Sequence, residues 1–353
     1  MESAIPQHLL CPRSRSRRVP DDYTPPYPAY TARANPSVKQ VVIGQFGVQS
    51  RGADARGPAW QAIRDIINTF AENDGPGHND LAHYVDARGY DNTLAIAYWS
   101  DPDRFARWER SPAVAATWNV RLRNDLGYFR EITVPRVQHY ETLFNTPDRL
   151  EGVGVVMGDV SAEVREHAYW GAARDRIPLA QTAALEPSGA LVAIQESATL
   201  PGAVRIEGHL NVAMIRSGQE WTETVDRERT LYLQEMEPVL RAGMDFLRDR
   251  GTAVGCYNNR YMRHLDPSGE ALEKTFGLSF WRSLADLERW SESHPTHLAI
   301  FGNFMRIVQE LEFKLALRLY HEVCVLQPDE QRYEYVNCHP GTGLMAGVAS
   351  LSP

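Results

Sequence analysis

Apolar and polar positions along this chain recur in blocks that switch between a period of two and a period near 3.6. Gln40-Val-Val-Ile-Gly-Gln-Phe-Gly-Val48 predicts a strand. Trp60, Ile63, Ile66, Ile67 and Phe70 share one helical face just after it. Asn92 to Trp99 predicts a second strand, Pro102 to Trp118 a helix, and Tyr140 to Phe144 a further strand. The second half repeats the plan. His209 to Ile215 reads as a strand, and Thr230 to Arg250 as an amphipathic helix with Leu233, Met236, Leu240, Met244 and Leu247 inward, ended by Gly251. Thr275 to Trp281 then predicts a strand, Leu284 to Trp290 a helix, and Arg318 to Val325 a strand.

The two halves also share residues. YWSDPDRFARWERSPAVAATW begins at Tyr98 and FWRSLADLERWSESHPTHLAI at Phe280. With Trp99 set on Trp281, Arg107 meets Arg289, Trp108 meets Trp290, Ser111 meets Ser293, and Ala115 meets His297. A strand ending in an aromatic and Trp, then a helix ending in Arg-Trp, is therefore an internal repeat. Such mixed βαβ-like units predict an α+β class, two ferredoxin-like halves sharing one core. The expected organisation is an extended arm over 1–37, a first half over 38–150 and a second half over 151–353. The modified second copy would hold one cofactor per chain.

The arm, including Tyr23-Thr-Pro-Pro-Tyr-Pro-Ala-Tyr30, cannot be an interior helix, because each proline lacks an N–H and fixes φ. Its tyrosines are expected on the surface of the domain or on a partner subunit. Arg17-Arg18 faintly resembles a twin-arginine signal, but Val19-Pro20-Asp21-Asp22 follows instead of an apolar stretch, so export is not expected. Of 353 residues, 37 are basic and 45 acidic, a net charge of -8 without a basic stripe, which argues against nucleic acid as a partner. No apolar run reaches membrane-spanning length. Cys11, Cys256, Cys324 and Cys338 are scattered, with no CxxC and no CxxCH, which predicts free thiols in a reducing, cytoplasmic setting and no covalently attached haem. GxGxxG, Walker and GxSxG motifs are absent too.

Candidate chemistry lies mainly in the second half. His297 stands one and two turns before Phe301 and Phe304 on an apolar helical face, a setting that suits an axial haem ligand. A core histidine bonded to a backbone carbonyl is the plain alternative. With His294 it also resembles half of a zinc site, but no HExxH glutamate or cysteine pair accompanies it. His321 faces opposite to Tyr320 and Glu322 in a β-branched strand and lines either solvent or a cavity, where it could serve as general acid and base. Glu141, in a strand of the first half, could approach His321 across the core and favour its charged form, or could be exposed. Ser217-Gly218 reads first as a turn, and Arg174 and Arg176 as surface or structural ion pairs. Cys11-Pro12, in the arm, is a weaker candidate for a thiolate contact to haem.

Taken in order, RRVPDDYTPPYP, DNTLAIAYW, LGYFREI, YWGAARDRIP, AMIRSGQEW, GMDFLRDRG, ERWSESHPTHLAIF, LRLYHEV and YVNCHPGTG resemble the haem-containing aldoxime dehydratases, also called phenylacetaldoxime dehydratases, over nearly the whole chain. The resemblance implies an α+β barrel built from ferredoxin-like halves, related in architecture to chlorite dismutases and dye-decolourising peroxidases. It implies one haem b, ferrous in the active state, a homodimer, and an aldoxime as substrate, dehydrated to a nitrile. It further implies that His297 is the proximal iron ligand, His321 the distal acid and base, and Ser217 a neighbour of the substrate hydroxyl. Arg176 is then needed for activity and Glu141 supports His321. Flavin assistance in keeping iron reduced is left open, as is the choice between aliphatic and aryl aldoximes. The rivals are another haem-barrel activity, peroxidase or chlorite-degrading, and a non-catalytic haem-binding or sensing protein.

Overall fold

Strand formation begins where the alternation begins. The computed structural model describes residues 1–119, 125–167, 172–195 and 202–348. Trp170 and the tyrosine and glycine flanking it lie outside the described residues. In chain order the elements are β1 (Ala32–Arg33), β2 (Val42–Ser50), α1 (Ala53–Asn68), β3 (His78–Val85), β4 (Asp91–Trp99), α2 (Pro102–Glu109), α3 (Pro112–Asn119), β5 (Gly127–Thr133) and β6 (Tyr140–Phe144). There follow α4 (Val153–Met157), β7 (Asp159–Val160), α5 (Ala173–Arg176), β8 (Val192–Gln195), β9 (Ala203–Glu207), β10 (Val212–Glu220), α6 (Asp226–Leu231) and α7 (Glu237–Arg250). The last are β11 (Cys256–Leu265), β12 (Ala271–Trp281), α8 (Leu284–Ser293), α9 (Pro295–Glu310), β13 (Arg318–Leu326) and β14 (Gln331–Val336).

Two expected helices are interrupted, each at a proline. The run from Pro102 splits into α2 and α3, because Pro112 pushes Ser111 out of helical backbone. The long helix of the second half passes through a π turn at Tyr232–Met236 before α7, where Pro238 has no N–H to give the preceding turn. Strands β3, β5, β11 and β14 were not singled out by alternation. Their faces are both partly polar, and that polarity turns out to be paired inside the fold.

Twelve strands form one antiparallel sheet in the order β6-β13-β10-β12-β11-β3-β4-β2-β5-β14-β9-β8. The contact between β11 and β3, through Arg263 opposite His83, joins the two parts. The sheet curls so that one face packs on itself. Ile43, Ile96 and Phe129 from the early strands share a buried cluster with Met214, Phe276, Phe280 and Tyr335 from the later ones. The opposite face is covered twice: Ile63, Phe105 and Trp108 of α1 and α2 cover β2 and β4, while Leu247, Leu287 and Trp290 of α7 and α8 cover β10, β12 and β13.

Charged groups cross the inner core. Arg216 meets Asp80 at 2.6 Å, and Arg260 meets Glu131 at 2.8 Å. Tyr98 and Tyr140 donate to the two oxygens of Glu322 at 2.9 and 3.1 Å. Burial pushes Asp80 up, but Arg216, with His78 and His264, holds its carboxyl well below the usual carboxylate range. Burial raises Glu322 against the smaller downward pulls of Arg216, the Val153 amide and the Tyr98 and Tyr140 hydroxyls. Each pair ties an early strand to a late one, and each partner would be costly to bury alone.

Arg260→Met leaves the fully buried Glu131 without its cation. Removing one partner of such a pair costs about 3–5 kcal/mol. Denaturant unfolding of the holoprotein should show that loss, and an unchanged midpoint would mean the pair does not join the two parts of the sheet.

Candidate functional site

Strands β10 and β13 carry the outer-face chemistry. Ser217 stands directly opposite His321 on one side and Gly277 on the other, so Ser217 and His321 share a face. Ser217 is half-buried and His321 buried. The expected turn at Ser217-Gly218 is absent; both residues lie within β10. Gly218 faces Tyr320 across the strands, and a Cβ there would run into the Tyr320 ring. The glycine serves a close approach, not a change of chain direction.

Glu141 reaches His321 by a different route from the one its sequence position suggests. It does not cross the core. Strand β6 lies beside β13, with Glu141 opposite Val323 and Leu143 opposite His321. The diagonal placement brings a Glu141 carboxylate oxygen to 3.0 Å from His321 Nε2. Glu141 is buried, not exposed. Burial pushes its carboxyl up, but Arg176 and His321 together bring it down to about 2.

Arg176 completes the cluster and is far from a solvated arginine: it is 4% exposed. It ends the short helix α5. Its guanidinium donates to both Glu141 oxygens at 2.8 and 3.2 Å and to the Glu166 carbonyl at 2.8 Å. Its Nη2 also lies 2.9 Å from His321 Nε2. One imidazole nitrogen thus faces both a donor and an acceptor. Unprotonated, it accepts from Arg176; protonated, it donates to Glu141. Arg174 points elsewhere, to Glu288 at 2.8 Å.

His297 lies in the first turn of α9. His294 caps that helix through Thr296 N–H, and Pro295 follows at a position where no N–H is needed. The two histidines therefore diverge: His294 stacks near Phe246, and His297 packs edge-on against Trp290 with ring centroids 4.7 Å apart. Burial lowers His297 to about 4, against a smaller upward pull from the Ser291 backbone, so its imidazole is neutral near neutral pH. Phe301 and Phe304 stay half-buried on the same helix. No cluster of three or more metal-competent side chains occurs among the described residues.

Two residues at this site were not singled out in the sequence. His167 is buried, and burial with the nearby Arg176 lowers it to about 4. Tyr27 of the arm packs edge-on against His167 at 4.6 Å and reaches Phe304 at 6.4 Å. Neither stands in a periodic element, so no local pattern marks them. Cys11 is exposed and its amide bonds to Gln181, away from these groups.

The described residues thus include a neutral imidazole on a helix bearing half-buried aromatics and, on the sheet, a buried cluster of Arg176, Glu141 and His321. Residues 44–344 match the haem-containing dehydratase family, and the chain belongs to it. It is 50% identical to an aliphatic aldoxime dehydratase of Rhodococcus globerulus, over 98% of each chain. It is 49% identical to the aliphatic aldoxime dehydratase of Pseudomonas chlororaphis over 98% of each chain. To the phenylacetaldoxime dehydratase of Bacillus sp. strain OxB-1 it is 32% identical, covering 93% of this chain and 94% of that one. A crystal structure of an aldoxime dehydratase in complex with butyraldoxime matches with a TM-score of 0.93 at 49% identity, over 98% of this chain and 96% of that one.

The depressed Glu141 carboxyl makes stability depend on acid. Its stabilising charge is fully present above the ordinary value of 4.5 and is lost as pH falls toward about 2. Glu141→Gln should therefore flatten the fall of the denaturation midpoint across that window. An equally steep fall in wild type and variant would contradict the ionised cluster.

Proposed function

We propose that this protein is a haem-dependent aldoxime dehydratase, converting an aldoxime, RCH=NOH, to a nitrile and water. The observation that carries the reading is His321 Nε2 set between Glu141 and Arg176 on the strand face that also bears Ser217. The family membership and the relatives' names support the substrate class.

The residues fit haem b. His297 offers a buried, neutral nitrogen, and Phe301 and Phe304 offer half-buried aromatic surface on the same helix. His297 would be the iron ligand. When bound in the ferrous state, the haem supplies electron density toward the oxime nitrogen and weakens the N–O bond. The chain's own groups do the rest. Ser217 holds the oxime hydroxyl beside the imidazole. His321 gives a proton to the departing oxygen, which leaves as water, and the neutral imidazole then removes the aldehydic C–H proton. The C–H proton restores the imidazolium in place of the one lost in the water, so there is no net change in protons or oxidation state and no oxidant is consumed. Glu141 stabilises the imidazolium, and Arg176 fixes the carboxylate. A reductant, flavin among them, is needed only to keep iron ferrous.

The reading extends to the architecture. We read the chain as an arm over 1–37 and duplicated ferredoxin-like halves over 38–150 and 151–353, forming an α+β barrel. The orders β3-β4-β2-β5 and β11-β12-β10-β13 correspond one to one, which supports duplication. Val42 faces Trp99 as Ala213 faces Trp281, so Phe46 stands for Ser217 and Arg130 for His321. Phe46 packs on Phe70 and Trp108 at 6.0 and 5.5 Å, an aromatic ring where the second half has the small Ser217. One haem per chain follows. A homodimer follows from the family resemblance. No helix among the described residues is long and apolar enough to cross a membrane, and the four free thiols support a cytoplasmic setting.

His297→Ala should lose haem, since iron then has no strong protein ligand. The haem-to-protein ratio after gel filtration measures it, and full occupancy with an unchanged Soret band would overturn the ligand assignment. His321→Ala should keep haem but form nitrile about 10²–10⁴-fold more slowly with dithionite-reduced enzyme. Wild-type turnover in that variant would make His321 a packing residue, and absence of nitrile from reduced wild type with every aldoxime tried would overturn the function.

A further inference from the structure

The arm is not a loose extension. Its backbone runs along residues 163–167 and 172–182 and bonds to them repeatedly. Ala4 N–H donates to Glu166 at 2.8 Å, Cys11 N–H to the Gln181 side chain at 3.1 Å, and Ser14 N–H to the Gln181 carbonyl at 3.0 Å. The tightest point is Asp175. This carboxylate is 1% exposed, and one of its oxygens accepts from the backbone N–H groups of both Arg18 and Val19, each at 2.8 Å. Arg13 adds a bond to the Asp175 carbonyl at 3.2 Å. Arg18 then reaches onward to Glu288 at 3.3 Å and to Glu292, both on α8, the helix before the His297 helix.

Three consecutive side chains of α5 therefore go to three bodies. Arg174 is tied to Glu288 of α8, Asp175 to the arm, and Arg176 to Glu141 and His321. A helix of four residues has almost no hydrogen-bonding of its own to hold it. Its orientation is set by what its side chains grip.

We propose that the arm is a positioning strap for the active site: Arg18 and Val19, seated on Asp175 and α8, fix α5 and thereby the Arg176 guanidinium against Glu141 and His321. Asp175, Arg18 and Val19 are positioning residues. They act through Arg176, and the proposal rests on the dehydratase reading only for its effect on turnover.

Val19→Pro removes one donor to Asp175 and leaves the carboxylate in place; Arg18→Gln removes the bridge to α8. In both holoenzymes, amide hydrogen exchange over residues 172–181 should quicken, with haem content unchanged. The kcat for nitrile formation should fall about tenfold or more, with KM little changed, because a small misplacement of a positioned group is felt in the chemical step. In an Arg176→Gln background the same substitutions should cause no further fall, since the group they position is gone. Arg17→Ala, which touches only the exposed Asp21, should change none of these. If Val19→Pro does not fold, Arg18→Gln, a partly exposed side chain, carries the test. Unchanged exchange over 172–181 overturns the strap whatever the activity. Quickened exchange with wild-type kcat, or an equal loss in the Arg176→Gln background, overturns its role in positioning. Quickened exchange in a protein whose wild type makes no nitrile would leave the strap standing and remove the dehydratase reading instead.

Discussion

The parity of β10 against β13 is the constraint on which the rest depends. Arg216 stands opposite Glu322 on the inner face, and Ser217 stands opposite His321 on the outer face. The inner pair is fixed by burial: Arg216 is held by Asp80, and Glu322 by two tyrosine hydroxyls and the Val153 amide. A slip of one residue would turn these charges outward and drive the site residues into the core. Neighbouring residues thus divide the work. One member of each dipeptide holds the sheet together, and the next is presented to the site.

The outer cluster obeys the same electrostatic rule with a different result. Three ionisable groups meet within hydrogen-bond distance and are nearly shut off from water. Such a group is stable only if each charge has a counter-charge and each donor an acceptor. Arg176 and Glu141 satisfy one another, and the imidazole bonds to both.

Between the two parts of the sheet the contrast is one of side-chain volume. At matching positions, Phe46 packs its ring beneath α1 and α2 against Phe70 and Trp108, whereas the second part carries the small, half-buried Ser217. Packing at interior density leaves no room for a ligand. A small hydroxyl at that position replaces a packed ring with a hydrogen-bonding group.

The sequence by itself determined what one element can record. Periodicity set His297 on the apolar face of α9, alternation set His321 against Glu322, and the repeat aligned Trp99 with Trp281. Each rests on local geometry, which places a side chain on a face from its neighbours alone. The ordered motifs carried the family and singled out five candidate site residues. Tertiary structure decided how those residues meet. Arg176 and His321 lie 145 positions apart, and nothing in the four-residue α5 forecasts their contact. Glu141 was placed across the core from its position in the repeat, yet it reaches His321 because β6 pairs beside β13. Gly218 carries the composition of a turn but lies within a strand, because the Tyr320 ring needs its missing Cβ. The arm has no periodicity at all, and only its amides on Asp175 reveal where it belongs. Such contacts join distant segments through backbone groups and buried charges, and those leave no pattern in the order of residues.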